Sequence, residues 1–215
     1  MPQYFEANPD TPSNRKTVDY RINGINFSFV TDTAVFSKTS VDKGTDLLLE
    51  SAIADIKKRG PGRDESLLDL GCGWGVVGIV MKTVFTLFDV TCVDVNSRAV
   101  GLAKENAKLN LRAPDTIMVS DVLASVPEDK MFDTVITNPP VRAGKKTVFE
   151  FYDQSYAHMR EGGAIYVVLQ RKQGADSTKK RLTELFGNCE TIDIKGGYHV
   201  MKSVKEAKNA AVHDN

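Results

Sequence analysis

The chain has 215 residues, of which 41% are hydrophobic and 26% are charged, an ordinary composition for a globular protein. Lys plus Arg and Asp plus Glu both number 28, so any nucleic-acid interface has to be a local basic patch. The three cysteines, Cys72, Cys92 and Cys189, include no CxxC pair, which disfavours a disulfide framework and a zinc site. We find no apolar stretch of signal-peptide or membrane-helix length, and we expect a cytoplasmic protein without membrane partner or metal.

The first 60 residues predict an extension that packs on the main domain. Residues 1–20 are polar and proline-containing, which is typical of an irregular arm. Alternating apolar residues on both sides of Asn23-Gly24 predict two short strands joined by a tight turn. The apolar spacing in 43–58 predicts an amphipathic helix, ended by a basic turn and by Gly60-Pro61.

Strand and helix patterns alternate over the main domain, which we place at 61–205. The predicted strands are 67–70, 90–95, 116–119, 132–137 and 164–169, followed by a hairpin of 191–194 and 199–204. The predicted helices are 76–87, 98–110, 146–159, which Gly162-Gly163 should close, and 177–186. This alternation predicts an α/β fold with a doubly wound, mostly parallel sheet. Residues 206–215 are expected to form a flexible tail.

A glycine-rich loop joins the first of these strands to its helix: Asp69-Leu70-Gly71-Cys72-Gly73-Trp74-Gly75. Alternate glycines let the backbone turn tightly and let a ligand approach closely, and the following helix offers unpaired N–H groups. The glycines alone fit a plain turn equally well. The carboxylate of Asp69 would repel a phosphate but suits an amine.

Polar residues also end the next two strands. Asp94, with Val95 and Asn96, ends the second strand and can accept both hydroxyls of a ribose. Ser120-Asp121 ends the third strand and can bind an adenine amine. An acid for an amine, an acid for a ribose diol and no phosphate clamp indicate S-adenosylmethionine rather than NAD. The predicted cofactor-binding residues are Asp69, Gly71, Cys72, Gly73, Gly75, Asp94, Val95, Asn96, Ser120, Asp121 and also Asn138.

These residues resemble class I methyltransferases: Asp69 to Gly73 match the first motif of that family, and Asp94 matches its ribose-binding acid. The resemblance implies a Rossmann-like sheet of seven strands with a reversed final hairpin. Asn138-Pro139-Pro140, at the end of the fourth strand, resembles the (N/D/S)PP motif of enzymes that methylate amines conjugated to a ring or carbonyl. This motif predicts Asn138, Pro139 and Pro140 as catalytic residues, although a plain turn is the simpler alternative.

Further segments are similar to bacterial small-subunit (16S) ribosomal RNA guanine-N2 methyltransferases of the short single-domain form. The likeness spans about residues 20–204 and is carried by Val35-Phe36-Ser37, Val41-Asp42-Lys43-Gly44, Asn138 to Gly144, and Arg171 to Ala175. It implies ribosomal RNA or the small ribosomal subunit as partner. One departure is Val141, where the family of amine methyltransferases often has an aromatic residue that stacks on the target base. Phe36 or the guanidinium of Arg142 is then expected to stack instead.

Basic residues follow the fourth and fifth strands and should flank the target pocket, namely Arg142, Lys145, Lys146, Arg171 and Lys172. An ordinary solvated rim of lysines is the alternative interpretation. Two other functions stay open: methylation of another amine, in a protein glutamine or a small metabolite, and a non-catalytic module that binds cofactor or RNA. The sequence leaves open the modified nucleotide, naked RNA against assembled subunit as substrate, and monomer against dimer.

Overall fold

The computed structural model describes residues 12–33, 35–37 and 39–207. The first element is a hairpin of β1 (Lys16–Ile22) and β2 (Ile25–Thr31), which pair antiparallel around Asn23-Gly24. Both turn residues have positive φ, as a two-residue hairpin turn requires. The predicted irregular arm is wrong for residues 16–20, because Val18 is buried and alternates with polar neighbours in a strand. Residues 1–11 of that arm lie outside the described part of the chain.

Helix α1 (Lys43–Arg59) follows the hairpin and confirms the predicted amphipathic helix. The Asp42 side chain caps its first turn by accepting from the backbone N–H groups of Gly44 and Thr45. At the other end, Gly60 adopts the left-handed conformation after three basic residues, so the helix stops where the sequence predicts.

The central sheet has seven strands in the order β5-β4-β3-β6-β7-β9-β8. Its strands are β3 (Ser66–Leu70), β4 (Asp89–Asp94), β5 (Thr116–Val119), β6 (Phe132–Thr137), β7 (Met159–Gln170), β8 (Glu190–Lys195) and β9 (Tyr198–Val204). The pairs from β5 to β7 are parallel, whereas β9 runs antiparallel to both β7 and β8. The predicted doubly wound sheet with a reversed final hairpin is therefore confirmed.

The remaining helices are α2 (Val76–Val84), α3 (Ser97–Leu109), α4 (Lys145–Ala157) and α5 (Ala175–Phe186). Short 3-10 turns, Val141–Ala143 and Arg171–Gln173, follow β6 and β7. One apolar core joins the hairpin, α1, α2 and α3 on one face of the sheet. A second core joins α4 and α5 on the opposite face.

Two predicted helix ends are wrong. Helix α2 ends at Val84 rather than Leu87, and the rings of Phe85 and Phe88 stack at 4.8 Å to close the connection. Strand β7 begins at Met159 and runs through Gly162-Gly163, which the sequence predicts as the close of a helix. A β-carbon at Gly163 would lie 2.9 Å from the carbonyl oxygen of Arg160, so this glycine allows a close approach where the register of β6 and β7 shifts.

The hairpin is held to α3 through the outer edge of β2. Asn106 Oδ1 accepts the N–H of Val30 at 2.7 Å, and Asn106 Nδ2 donates to the carbonyl of Val30 at 2.9 Å. Asn110 makes the same pair of bonds with Ser28, at 3.1 and 2.9 Å. Asn106 Nδ2 also donates to the carbonyl of Trp74 at 2.8 Å, so α3 connects the hairpin to the glycine-rich loop.

The predicted boundary at residue 60 stays a prediction, and residues 208–215 of the predicted tail lie outside the described part of the chain. No helix within the described ranges is long and apolar enough to cross a membrane.

Candidate functional site

A cavity of about 630 Å³ opens at the carboxyl ends of the parallel strands, where ligands bind in sheets of this kind. Most of the predicted site residues line it: Phe36, Asp69, Gly71, Cys72, Gly73, Asp94, Val95, Ser120, Asp121, Asn138, Pro139, Pro140 and Arg142. The structure thus brings the glycine-rich loop, three strand ends and the Asn-Pro-Pro segment to one space.

The carboxylate of Asp94 is fixed at the tip of β4 by backbone donors. Its Oδ2 accepts the N–H of Gly73 at 2.8 Å, and its Oδ1 accepts the N–H of Asn96 at 2.8 Å. Burial raises the pKa of Asp94, and the two N–H groups oppose that shift. Because each carboxylate oxygen has a second lone pair, the group can still accept two further hydrogen bonds from the cavity.

Asp69 lies deeper than Asp94 and is only 2% exposed. Its Oδ2 accepts the N–H of Gly78, in the first turn of α2, at 2.8 Å. Burial raises the pKa of Asp69 to about 7, and the negative charge of Asp94 acts in the same direction. A cation bound in the cavity would therefore favour the ionised form of this side chain.

In the turn after β5, Ser120 and Asp121 differ in their exposure to solvent. Ser120 is buried, and its Oγ accepts the N–H of Ser125 at 3.0 Å, whereas Asp121 is exposed at the cavity. The next residue, Val122, is buried, lines the cavity and has a φ of 47°. This conformation is unusual for a β-branched residue, and no local pattern in the sequence predicts it.

Asn138 and its two prolines follow β6 on the opposite side of the cavity from this turn. Asn138 Nδ2 donates to Asp42 Oδ2 at 3.2 Å and to Thr45 Oγ1 at 3.0 Å. The carbonyl of Pro139 accepts the N–H of Val141 at 2.8 Å, which makes an inverse γ-turn at Pro140 just before the 3-10 turn. The half-buried Val141 packs against the core of α4 and α5.

Residues 35–37 form a wall of the cavity next to the glycine-rich loop. Trp74 Nε1 donates to the carbonyl oxygen of Phe36 at 2.8 Å. Val35 is buried, while the side chain of Phe36 is 39% exposed at the cavity. This placement puts Phe36 at the cavity, where a residue that stacks on the target base is expected.

Some predicted site residues do not line the cavity. Gly75 caps α2, and a β-carbon there would lie 3.0 Å from the β-carbon of Ala103, so its role is close packing of α2 on α3. Asn96 is fully buried and caps α3 with its side-chain oxygen. Lys145, Lys146, Arg171 and Lys172 are exposed beside lining residues rather than among them.

The cavity also contains residues that the sequence analysis does not single out: Thr45, Val122, Thr147, Phe151, Gln170 and Tyr198. Asp42 belongs to one of the family-like segments, and an acid just before an amphipathic helix is also a recognisable capping signal. The side chain of Tyr198 comes from the reversed hairpin, and no local pattern marks it. Among the described ranges, no three His, Cys, Asp or Glu side chains cluster as a metal site would require.

The strand order, in which a reversed hairpin closes an otherwise parallel sheet, is that of class I methyltransferases. The family model named Methyltransferase small domain matches residues 26–202. The chain is 36% identical to Uncharacterized protein YbxB of Bacillus subtilis over 94% of this chain and 98% of that protein. It is 35% identical to Ribosomal RNA large subunit methyltransferase G of Photobacterium profundum over 80% of this chain and 45% of that protein.

Among solved structures, the chain is similar to the 16S rRNA N2 G1207 methyltransferase RsmC of T. Thermophilus, determined in complex with AdoMet and guanosine. The TM-score is 0.81 at 26% identity, with 91% of this chain and 52% of that chain covered. The chain thus spans about half the length of the ribosomal RNA methyltransferases it matches. Because the family model matches most of the chain, residues 26–202, this chain belongs to the methyltransferase small domain family.

Proposed function

We propose that this chain methylates an exocyclic amine and that the amine is guanine N2 of ribosomal RNA, with the small-subunit (16S) RNA as first candidate. S-adenosylmethionine is the methyl donor, and when bound it supplies a methyl group on a positively charged sulfur. The observation that carries the proposal is the side chain of Asn138, which lines the same cavity as the acidic strand ends. Within the described residues, no donor contacts its amide oxygen, so this oxygen is available to an amine.

The acidic residues fit the groups of this cofactor. Asp94 keeps one free lone pair on each oxygen, which suits the two hydroxyls of a ribose. Asp69 is buried beside the cavity with its pKa raised to about 7, and a cationic amine would stabilise its charge. Asp121 offers an exposed acceptor for the adenine amine, and the Ser120 hydroxyl can still donate.

The Asn-Pro-Pro segment fits the amine. The lone pair of a nucleobase amine is delocalised into the ring, which makes the nitrogen a poor nucleophile. Asn138 Oδ1 and the second lone pair of the Pro139 carbonyl can each accept one N–H, which draws electron density back to the nitrogen. The prolines fix φ and remove competing donors, so these acceptors are held rigidly. The contribution of the chain is mainly alignment of the amine with the methyl group.

The assignment to RNA is supported by the relatives and by the charges at the cavity mouth. Arg142, Lys145, Lys146, Arg171 and Lys172 are exposed, and none forms an ion pair within the part of the chain that the structure describes. Cations beside a pocket that form no ion pair suit the phosphates of an RNA backbone. A guanine within a helix would have to be turned out of its stack to reach the cavity.

The test is transfer of tritium from labelled cofactor to 16S RNA, 23S RNA, small subunits, a protein fraction and free metabolites. Modified nucleosides are then identified by mass spectrometry. We expect N2-methylguanosine in ribosomal RNA, and we expect N138A to lower kcat on the order of 100-fold. Label in protein or metabolites alone would contradict the RNA assignment. An N138A variant as active as wild type would contradict the role of the Asn-Pro-Pro segment.

A further inference from the structure

The Asn138 amide is held by two residues that are more than 90 positions earlier in the chain. Its Nδ2 donates to Asp42 Oδ2 at 3.2 Å, across 96 residues, and to Thr45 Oγ1 at 3.0 Å, across 93 residues. Both acceptors belong to the start of α1, whose cap is Asp42 itself. The N-terminal extension therefore contacts the proposed amine-binding side chain directly.

These contacts decide which end of the amide faces the cavity. A carboxylate oxygen only accepts hydrogen bonds, so the end of Asn138 that lies against Asp42 has to be the NH2 group. A rotation of the amide by 180° would put its oxygen against the carboxylate and leave the NH2 group toward an incoming amine. The target amine also presents N–H groups, and two donors facing each other would repel.

We propose that Asp42 and Thr45 are positioning residues that keep Asn138 Oδ1 turned toward the target amine. The inference rests on the proposed amine methylation, which it deepens by assigning how the catalytic amide is oriented. Neither residue needs to touch the substrate amine for this role.

The position of the Asp42 carboxylate is itself fixed. Its Oδ2 also accepts the N–H groups of Gly44 at 2.9 Å and Thr45 at 3.2 Å, so the helix end holds the acceptor in place. The hydroxyl of Tyr198 lies 3.5 Å from Oδ1. A β-carbon at Gly44 would lie 2.7 Å from the Tyr198 ring, so only a glycine lets α1 start this close to β9.

The test separates positioning from helix capping. In D42S the serine hydroxyl can still cap the helix, but the side chain is too short to reach Asn138. T45V removes the hydroxyl that is the second acceptor of the Asn138 amide, at nearly constant volume. We expect the double variant D42S/T45V to lower kcat about 10- to 100-fold, with the Kd for S-adenosylhomocysteine and the KM for RNA within about twofold of wild type. D42N retains an oxygen for all three donors and should return kcat to within about threefold of wild type. T183V, which removes a hydroxyl on the exposed face of α5, is the matched control and should behave as wild type.

A double-mutant cycle distinguishes positioning from a general structural effect. If Asp42 and Thr45 act through Asn138, D42S/T45V should cost less than about twofold in kcat when it is added to N138A. Two results would overturn the inference. One is that D42S/T45V lowers kcat as much in the N138A background as in wild type, and the other is a D42S/T45V variant as active as wild type.

An inactive wild-type protein on every acceptor would instead contradict the proposed function. The orientation of the amide can be decided without activity, from hydrogen exchange of the Asn138 side-chain NH2 signals, assigned by their absence in N138A. Slow exchange in wild type and fast exchange in D42S/T45V supports the inference, and equal exchange in both overturns it.

Discussion

The indole nitrogen of Trp74 donates a hydrogen bond of 2.8 Å to the main-chain carbonyl of Phe36, and this bond joins the glycine-rich loop to the segment before α1. Trp74 is 4% exposed, and its ring meets that of Phe29 edge-on at 5.3 Å. The loop beside the cofactor side of the cavity is thereby held to the wall that contains Phe36.

We expect W74F to weaken cofactor binding. The substitution keeps an aromatic ring against Phe29 but removes the donor to Phe36. The free energy of unfolding should fall by about 1–2 kcal/mol, and the Kd for S-adenosylhomocysteine should rise about three- to tenfold, measured by calorimetry. F88L, in an aromatic pair that does not line the cavity, should lose similar stability without a change in Kd. Equal Kd values for W74F and wild type would show that the bond does not support the cofactor site.

The titration of Asp69 predicts the pH dependence of stability without cofactor. Because its pKa is raised from 3.8 to about 7 by burial, the folded chain keeps a proton that the unfolded chain has lost above pH 4. The free energy of unfolding should therefore fall as pH rises from 4 to 7, by up to about 1.4 kcal/mol per pH unit, and level off above 7. Urea unfolding at several pH values should show this fall in wild type and a flatter curve in D69N. If the free energy of unfolding changed with pH in the same way in wild type and D69N, the assignment of this pH dependence to Asp69 would be wrong.

Cofactor binding should show the opposite pH dependence at the same residue. If Asp69 pairs with a cationic amine, binding needs the ionised carboxylate, and the affinity should rise as pH increases from 5.5 to 7.5, at most about tenfold per unit below pH 7. D69N should bind more weakly and with little dependence on pH in this range. A wild-type Kd that stays constant over these two pH units would show that Asp69 does not pair with the amine of the cofactor.

We expect D94N to lose most of its cofactor affinity. Asparagine can accept from Gly73 or from Asn96 but not from both, and its NH2 group would face a backbone donor. The Kd should rise about 30-fold or more, and stability should fall by about 1–3 kcal/mol. D89N, at the other end of β4 in an ion pair with Lys130, is the matched control and should change both quantities little. Calorimetry and thermal unfolding measure the two effects.

We expect the exposed basic residues beside the cavity, among them Arg171 and Lys172, to bind RNA through its phosphates. Replacing Arg171 and Lys172 by alanine should reduce the slope of log Kd for RNA against log salt by about one per lost contact, with cofactor affinity unchanged. K179A/K180A removes the same charge from the exposed face of α5, away from the cavity lining, and should leave the slope close to wild type. Equal slopes for both double variants would favour an ordinary solvated rim.

The sequence predicts the elements well because each has a local signal. The Asn23-Gly24 turn, the end of α1 at Gly60 and the apolar strands are set by neighbouring residues, and the parallel sheet brings the strand ends to one edge. Gly162-Gly163 misleads because glycine ends helices more often than it lies inside a strand.

The parts of the site that sequence does not predict depend on long-range contacts. The bonds from Asn138 to Asp42 and Thr45 join segments that no spacing connects, and Tyr198 reaches the cavity only because the last hairpin is reversed. Gly75 and Asn96 carry the residue types of a binding loop, but they are used for helix packing and helix capping. Residue type alone does not separate these roles.

Asn106 of α3 and the C-cap residue Asn110 also hydrogen-bond to the edge of β2 as a neighbouring strand would. Four helical residues rise about 6 Å and two strand residues advance about 6.6 Å, so Asn106 and Asn110 match the repeat of Val30 and Ser28. Their amides occupy the hydrogen-bonding groups through which the margin of a small sheet would recruit a strand from another molecule. Loss of either amide would leave backbone N–H and C=O groups at the edge of β2 without partners. We would then expect self-association of the protein before any loss of activity.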